Sequence, residues 1–345
     1  MFLIDKYTPK NLDEFIFHKD KINLLKEMSK DDSIPHMIFC GPNGSGKRTI
    51  INCFMEMIYD KEVHKISHLI YKIPGSANNI TEVSIKQSNY HIIIEPNNNN
   101  FDKYLIQEVV KEYAKKISLQ VFTSNKTFKT VLINNIDNLS YYAQTSLRRT
   151  MEIYSGTCRF IMICNSLSRV INPIRSRCYN FKVNSPTNDE LFELLLDVSH
   201  KEKIPIGPSD YNQIITIADG NVKKALWMLQ YKQFEQNNKM ELDYKISYDY
   251  ALDDIISKLL SKNTQVCIEI RNIIYNIMIT NIDGTTIIKD IINRLMENDQ
   301  ISEQQKIKIV EKGCHYEHNL IKGRHEIMHL DPFISGILFI LMKTE

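Results

Sequence analysis

The chain has 345 residues, is 43% hydrophobic and 24% charged, and carries a net charge of +2. That length allows two or three domains with sizeable cores, and so small a charge leaves nucleic acid only local patches to meet. The cysteines, Cys40, Cys53, Cys158, Cys164, Cys178, Cys267 and Cys314, include no CxxC pair, which disfavours zinc and favours a reducing intracellular compartment. The opening MFLIDKYTPK is too short an apolar stretch for a secretory signal, and the longest apolar run, Phe333–Met342, is about half a membrane span. A soluble intracellular protein is expected. The Asn97–Asn100 run lies between apolar segments and reads as compositional bias, not a prion-like tract.

Residues 1–182 alternate short apolar runs with helical patterns and predict an α/β domain with a parallel sheet. MIFC (37–40), TVLIN (130–134) and RFIMICN (159–165) are apolar runs closed by polar residues, as buried parallel strands are. A doubly wound sheet presents its ligands at such strand ends. A helix follows the first run; SNYHIIIEPNNNN and a helix near 103–116 precede the second. Pro186 then breaks the pattern, and Thr187 with Glu190 forms a capping box for a helix facing inward through Leu191, Leu194, Leu195 and Val198. Gly220 separates two further helical patterns, the second being NVKKALWMLQ, so residues 183–237 predict a small helical domain. After the polar FEQNNKMELDYK, residues 238–345 predict an all-α domain. Its stripes are Ile255, Ile256, Leu259, Leu260 and Ile287, Ile288, Ile291, Ile292, Leu295.

HMIFCGPNGSGKRTI sets a glycine-rich turn between a strand and a helix. Gly41, Gly44 and Gly46 let backbone N–H groups curl round phosphate oxygens. Pro42, Asn43 and Ser45 fill the turn between them, and Lys47 adds a charge at the helix start. Nucleotide binding is expected, as ATP or ADP. Hydrolysis is not. Arg48 stands where an ATPase has the Ser or Thr that holds Mg²⁺, and guanidinium has donors only. Arg48 can still meet phosphate. Thr49 is a poor substitute, turned by about 100° along the helix.

VLINNIDNLS puts Asn134 and Asn135 where an ATPase presents Asp for the metal and Glu to activate water. Asp137, three residues on, reads as too far from the metal site. The joint loss predicts binding without turnover and leaves Mg²⁺ without its usual ligands. Two rival readings are an active P-loop ATPase, a motor using Thr49 and Asn134 in an altered metal site, and a scaffold that binds neither nucleotide nor DNA.

Here the chain resembles, nearly end to end, the small subunits of replication factor C, the AAA+ clamp loader. DKYTPKNLDEF is similar to the family's N-terminal box, with Thr8 where Arg is usual; AQTSLRRTMEIY (143–154) is similar to its central helix. CNSLSRVINPIRSRC (164–178) is similar to its sensor and Ser-Arg-Cys motifs, and GNVKKALWMLQ to its second sensor, with Lys223 where Arg is usual. SNYHIIIEP and YEHNLIKGRHEIMHLDPFI resemble the animal subunit 3 type, which similarly lacks the loop hydroxyl and the acidic pair.

The resemblance implies a RecA-like AAA+ domain (1–182), a helical lid (183–237) and a helical collar (238–345). It implies a hetero-pentamer that opens the sliding clamp, proliferating cell nuclear antigen, and closes it around primer–template DNA in replication and repair. Arg177 then matches an arginine finger that reaches a neighbouring subunit's ATP; from spacing alone, Arg175 and Arg177 read as surface arginines. Asn165 is a first sensor or a polar strand end, Lys223 a phosphate contact or a solvated helix residue. Tyr7 and Pro9 line the adenine or merely pack the N-terminal segment. Arg148 and Arg149 face DNA phosphates or form salt bridges within the domain. Cys178 reads as a small buried residue, since no His partner stands near in sequence. The implied compartment is a nucleus, or a cytoplasmic viral replication site if the source is a large DNA virus.

Overall fold

Met37, Ile38 and Phe39 are all buried, but not in the same core: Met37 and Phe39 join one cluster and Ile38 the other. Successive strand residues point to opposite faces, so this run needs a layer of helices on each side. The computed structural model describes residues 2–30, 34–74, 80–96, 102–115, 128–238, 247–261, 263, 265–280, 282–322 and 326–342. It forms seven strands: β1 (Met37–Cys40), β2 (Ser67–Pro74), β3 (Ile80–Gln87), β4 (His91–Ile94), β5 (Lys129–Ile133), β6 (Cys158–Cys164) and β7 (Tyr179–Lys182). They lie in the order β2-β3-β4-β5-β6-β1-β7, parallel from β4 to β7, with β3 antiparallel to both its neighbours.

After α1 (Leu3–Lys6), helices α2 (Lys19–Lys30) and α3 (Lys47–Tyr59) cover one face through Ile22, Leu25, Ile50 and Phe54. The other face is covered by α4 (Asp102–Tyr104), a π-helical turn (Leu105–Val110), α5 (Lys111–Lys115), α6 (Tyr141–Ile153) and α7 (Asn172–Arg175). Ile106, Val110, Leu147 and Ile174 pack there. The three predicted strands are β1, β5 and β6. The β2–β3 hairpin and β7 have no counterpart in the sequence reading, because they offer no buried apolar run. Leu69 and Ile70 are exposed, and only Phe181 of β7 is buried.

Helices α8 (Asn188–Glu202), α9 (Pro208–Ala218) and α10 (Val222–Asn238) follow. The Thr187–Glu190 capping box starts α8, and the left-handed pair Asp219 and Gly220 ends α9. All of this belongs to one compact unit, residues 1–242; residues 243–345 form a second. Residues 239–246, which include the end of the polar FEQNNKMELDYK stretch, and the Asn97–Asn100 run lie outside the described residues.

The second unit consists of α11 (Ser247–Leu260), α12 (Val266–Ile279), α13 (Gly284–Met296), α14 (Glu303–Lys322) and α15 (Ile327–Met342). Both predicted stripes face its core, with Leu260 and Ile292 at the margin. Gly313 lets α14 press on α13, since a Cβ there would lie 2.2 Å from Ile292 Cδ1. Among the described residues no helix is long and apolar enough to cross a membrane.

Candidate nucleotide site and arginine face

The loop after β1 is held by glycine geometry. Gly44 and Gly46 have φ of +80° and +87°, a region costly for other residues. Gly41 has no room for a side chain, as a Cβ would lie 1.9 Å from the Val183 carbonyl oxygen. Ser45 is buried and its hydroxyl donates to the Pro42 carbonyl at 2.9 Å. Lys47, only 7% exposed, donates to the carbonyls of Gly41 (2.5 Å) and Pro42 (2.7 Å) and to Asn165 Oδ1 (3.2 Å). Burial lowers its pKa. A buried cation whose hydrogen-bond acceptors are all neutral favours an added anion. Pro42, Asn43 and Arg48 are exposed and Thr49 is half-buried.

At the neighbouring strand ends, Asn134 is 4% exposed and its N–H donates to the Ile94 carbonyl at 2.9 Å. Its side-chain Nδ2 donates to Glu95 Oε1 at 3.0 Å, while its Oδ1 is buried without a partner. Asn135 is left-handed, with φ 51° and ψ 57°, and a 3₁₀ turn (Ile136–Asn138) follows. That turn carries Asp137 back to the sheet, where Oδ2 accepts from the Asn165 N–H at 3.0 Å and Oδ1 is buried and unpartnered. The expectation that Asp137 lies away from the site is thereby corrected. Asn165 joins the two parts, bonding Asp137 through its backbone and Lys47 through its side chain. Two orphaned oxygens, one of them carboxylate, are the ligand type Mg²⁺ takes alongside phosphate oxygens. The donor set fits that ion weakly, without the missing hydroxyl at Arg48.

The helical segment touches the loop directly. Val222 N–H donates to the Gly44 carbonyl at 3.2 Å. A Cβ on Gly44 would fall 2.0 Å from Asn221 Oδ1, which accepts from Lys224 N–H at 3.1 Å. Lys223 is exposed at the start of α10. Tyr7 donates to Glu202 Oε1 at 2.5 Å, and burial with this carboxylate pushes its pKa up to about 12. Lys6 pairs with the same oxygen at 2.6 Å. The Pro9 carbonyl accepts from Cys53 Sγ at 3.3 Å. These contacts strap the N-terminal segment between α3 and α8.

A second group of charges lies along α6 and α7. Arg177 Nη2 sits 2.8 Å from Glu152 Oε1, and Nη1 donates to the Pro173 carbonyl at 2.8 Å. Arg148 Nε is 3.8 Å from the same Glu152 oxygen; Arg149 is exposed. Arg148 and Arg175, with Tyr141, Thr145 and Ser168, line a cavity of about 390 Å³. Gln144, 2% exposed, holds this face together: Nε2 donates to the Leu139 and Arg169 carbonyls, both at 3.0 Å, and Oε1 accepts from Ile171 N–H at 2.9 Å. Burial pushes the Cys178 thiol up to about 12, so it is no nucleophile at neutral pH. The sequence reading missed Glu95, Gln144, Glu152 and Asn221.

A phosphate loop on a parallel sheet, with helices on both faces and a helical segment bonded to the loop, defines a P-loop protein of AAA+ architecture. Residues 17–187 match the family described as DNA polymerase III, delta subunit, and residues 251–345 the one described as replication factor C subunit 3, C-terminal domain. A replication factor C small subunit of Acanthamoeba polyphaga mimivirus is 38% identical over 98% of this chain and 90% of its own length. Replication factor C subunit 3 of Arabidopsis thaliana is 29% identical over 99% and 97%, and that of Bos taurus 31% over 99% and 96%. The chain belongs to the replication factor C small-subunit family. The RuvB motor of Thermotoga maritima, at 16% identity and a TM-score of 0.47 over 68% of both chains, is too distant a likeness to add to this.

Proposed function

We propose that this chain is a nucleotide-binding, non-hydrolysing subunit of a clamp loader. It works in a hetero-pentamer with other replication factor C subunits that loads the sliding clamp, proliferating cell nuclear antigen, onto primer–template DNA. The observation that carries the nucleotide reading is the buried Lys47 ammonium, bonded only to neutral oxygens at the end of a glycine loop. ATP or ADP phosphates supply the anion it lacks. Asn165 reports on the outer phosphate through that lysine, Lys223 lies where the lid can approach it, and Tyr7 and Pro9 border the base.

Turnover fails for want of a base. Asn135 cannot take a proton from water, and Arg48 removes the metal-holding hydroxyl. When bound, Mg²⁺ neutralises phosphate charge, and Asn134 and Asp137 are the residues that would hold it. The useful chemistry is directed outward: Arg177 is the finger for a neighbour's ATP, while Arg148 and Arg149 meet DNA phosphates without reading sequence. Residues 1–182, 183–237 and 238–345 serve as nucleotide domain, lid and collar. The compartment is the nucleus, or a cytoplasmic viral replication site, which the mimivirus relative supports.

The test is equilibrium binding of a fluorescent adenine nucleotide together with phosphate release by the purified chain. Binding lost in Lys47→Ala, with no sustained release by either protein, is the expected result. Sustained release that disappears in Lys47→Ala would establish an active ATPase instead.

A further inference from the structure

Strands β4 and β5 run parallel with Ile94 opposite Ile133, so the next residues, Glu95 and Asn134, emerge side by side at the ligand edge of the sheet. They are bonded, Asn134 Nδ2 to Glu95 Oε1 at 3.0 Å. A carboxylate only accepts, so the bond decides which way the Asn134 amide points. The NH₂ must face Glu95 and the carbonyl oxygen must face away from it. Asn134 is 4% exposed, and that oxygen has no partner. Leaving a buried acceptor unpaired is unfavourable, so the arrangement disfavours the chain alone and favours whatever fills the position. Asp137 Oδ1, carried back by the turn at Asn135, is a second buried oxygen without a partner, on a carboxylate whose other oxygen is bonded to the Lys47–Asn165 group.

We propose that Glu95 is a positioning residue that turns the Asn134 carbonyl oxygen toward the phosphates, so that Asn134 and Asp137 together seat the Mg²⁺ of a bound Mg–nucleotide. This rests on the nucleotide reading above. The carboxylate stands just after β4 and orients, and the amide stands just after β5 and ligates. A neutral oxygen and one carboxylate suit an ion that keeps several of its waters and takes the rest of its ligands from phosphate. With Asn135 alongside, nothing activates water, so the ion is held without turnover.

The experiment measures the affinity of a fluorescent ADP for the full chain in Mg²⁺ and in EDTA, and of Mn²⁺ by paramagnetic resonance with the same nucleotide present. The wild type is expected to bind at least about tenfold more tightly with metal, the scale of outer-shell effects on metal sites. Glu95→Ala frees the amide to flip and brings the two affinities together, with Mn²⁺ binding weakened to match. Glu95→Gln rescues both, because its carbonyl still accepts from Asn134 Nδ2. Glu95 is exposed, and circular dichroism checks that each variant is folded. Nucleotide binding that ignores the metal in the wild type, or a Glu95→Ala protein identical to it, overturns this inference alone. Absence of nucleotide binding in both buffers overturns the nucleotide reading and this inference with it.

Discussion

Arg177 and Glu152 form an ion pair across α6 and the loop after α7, Nη2 to Oε1 at 2.8 Å, with the guanidinium also anchored on the Pro173 carbonyl. Both side chains are about 40% exposed, and an exposed pair of this kind contributes about 0–1 kcal/mol. The pair therefore positions the guanidinium at little cost to release. Arg177→Ala in the assembled complex should leave assembly intact and depress DNA-stimulated ATP hydrolysis at the neighbouring site by roughly 10³-fold or more. Glu152→Gln should change the unfolding free energy of the isolated chain, measured by urea denaturation, by no more than about 1 kcal/mol. Unchanged hydrolysis in Arg177→Ala would remove the finger from the account.

The buried Gln144 makes three hydrogen bonds to backbone groups, one buried and two part-buried, on either side of the loop that leads to Arg177. Leucine has a similar volume and none of these bonds. Gln144→Leu should cost about 1–3 kcal/mol, because the buried Leu139 carbonyl and the part-buried Arg169 carbonyl and Ile171 N–H lose their partner. Urea denaturation followed by circular dichroism measures it, and a loss below about 1 kcal/mol would mean that water reaches the loop.

The phosphate loop was legible because its information is local. Three glycines and a lysine at fixed spacing, between an apolar run and a helix, carry their own geometry, and Thr187–Glu190 did the same for α8. Asn134 and Asn135 were legible as amides at a strand end where an ATPase carries acids, for the same reason. What was not legible depends on pairing. Glu95 matters only because β4 lies in register beside β5, and nothing within either segment says so. Asp137 looked remote because three residues of extended chain would carry it away. Asn135 instead turns left-handed, which asparagine tolerates better than most residues, and that preference was the available signal. The β2–β3 hairpin was missed because Leu69 and Ile70 are both exposed, which blurs the alternation that packs Tyr71, Val83 and Ile85 on the core.

Acid should weaken the nucleotide-binding unit through two histidines. Burial, helped by Arg159, lowers the pKa of His36 to about 4, and burial, helped by His64, does the same to His91. In the unfolded chain both titrate near the ordinary value of about 6.5. Between these values the unfolded state binds the extra protons, so stability is full above pH 6.5 and declines as pH falls toward 4. Each contributes up to about 3 kcal/mol over that window. Urea midpoints at pH 7.5 and 5 should differ accordingly. His91→Gln, which keeps an acceptor for the Ser88 hydroxyl now bonded at 2.7 Å, should flatten the dependence.

Gly44→Ala tests the bond between loop and lid. A methyl group there meets the Asn221 side chain at 2.0 Å, and φ of +80° is strained for any side chain. The left-handed conformation alone costs roughly 1–2 kcal/mol. The variant should unfold at a lower urea concentration and bind nucleotide more weakly, since α10 can no longer seat on the Gly44 carbonyl. If affinity survives while stability falls, the loop holds phosphate without help from the lid.

On the non-hydrolysing reading proposed above, hydrolysis should appear only when all three parts are supplied together. Arg48→Thr restores a metal-holding hydroxyl, Asn134→Asp a charged ligand and Asn135→Glu a proton acceptor. Asn134→Asp on its own creates a conflict, because Glu95 now sits one hydrogen bond away and two carboxylates at that distance raise each other's pKa. The conflict is relieved by Glu95→Asn, which replaces the carboxylate after β4 with a neutral amide. The combined Arg48→Thr, Asn134→Asp, Asn135→Glu, Glu95→Asn protein should release phosphate above the wild-type background. The triple variant that keeps Glu95 should release less, and each single variant none. Residues acting as a unit give such non-additive returns. Release by Arg48→Thr alone would show that the amides at 134 and 135 are no obstacle and that the loss of turnover lies in the loop.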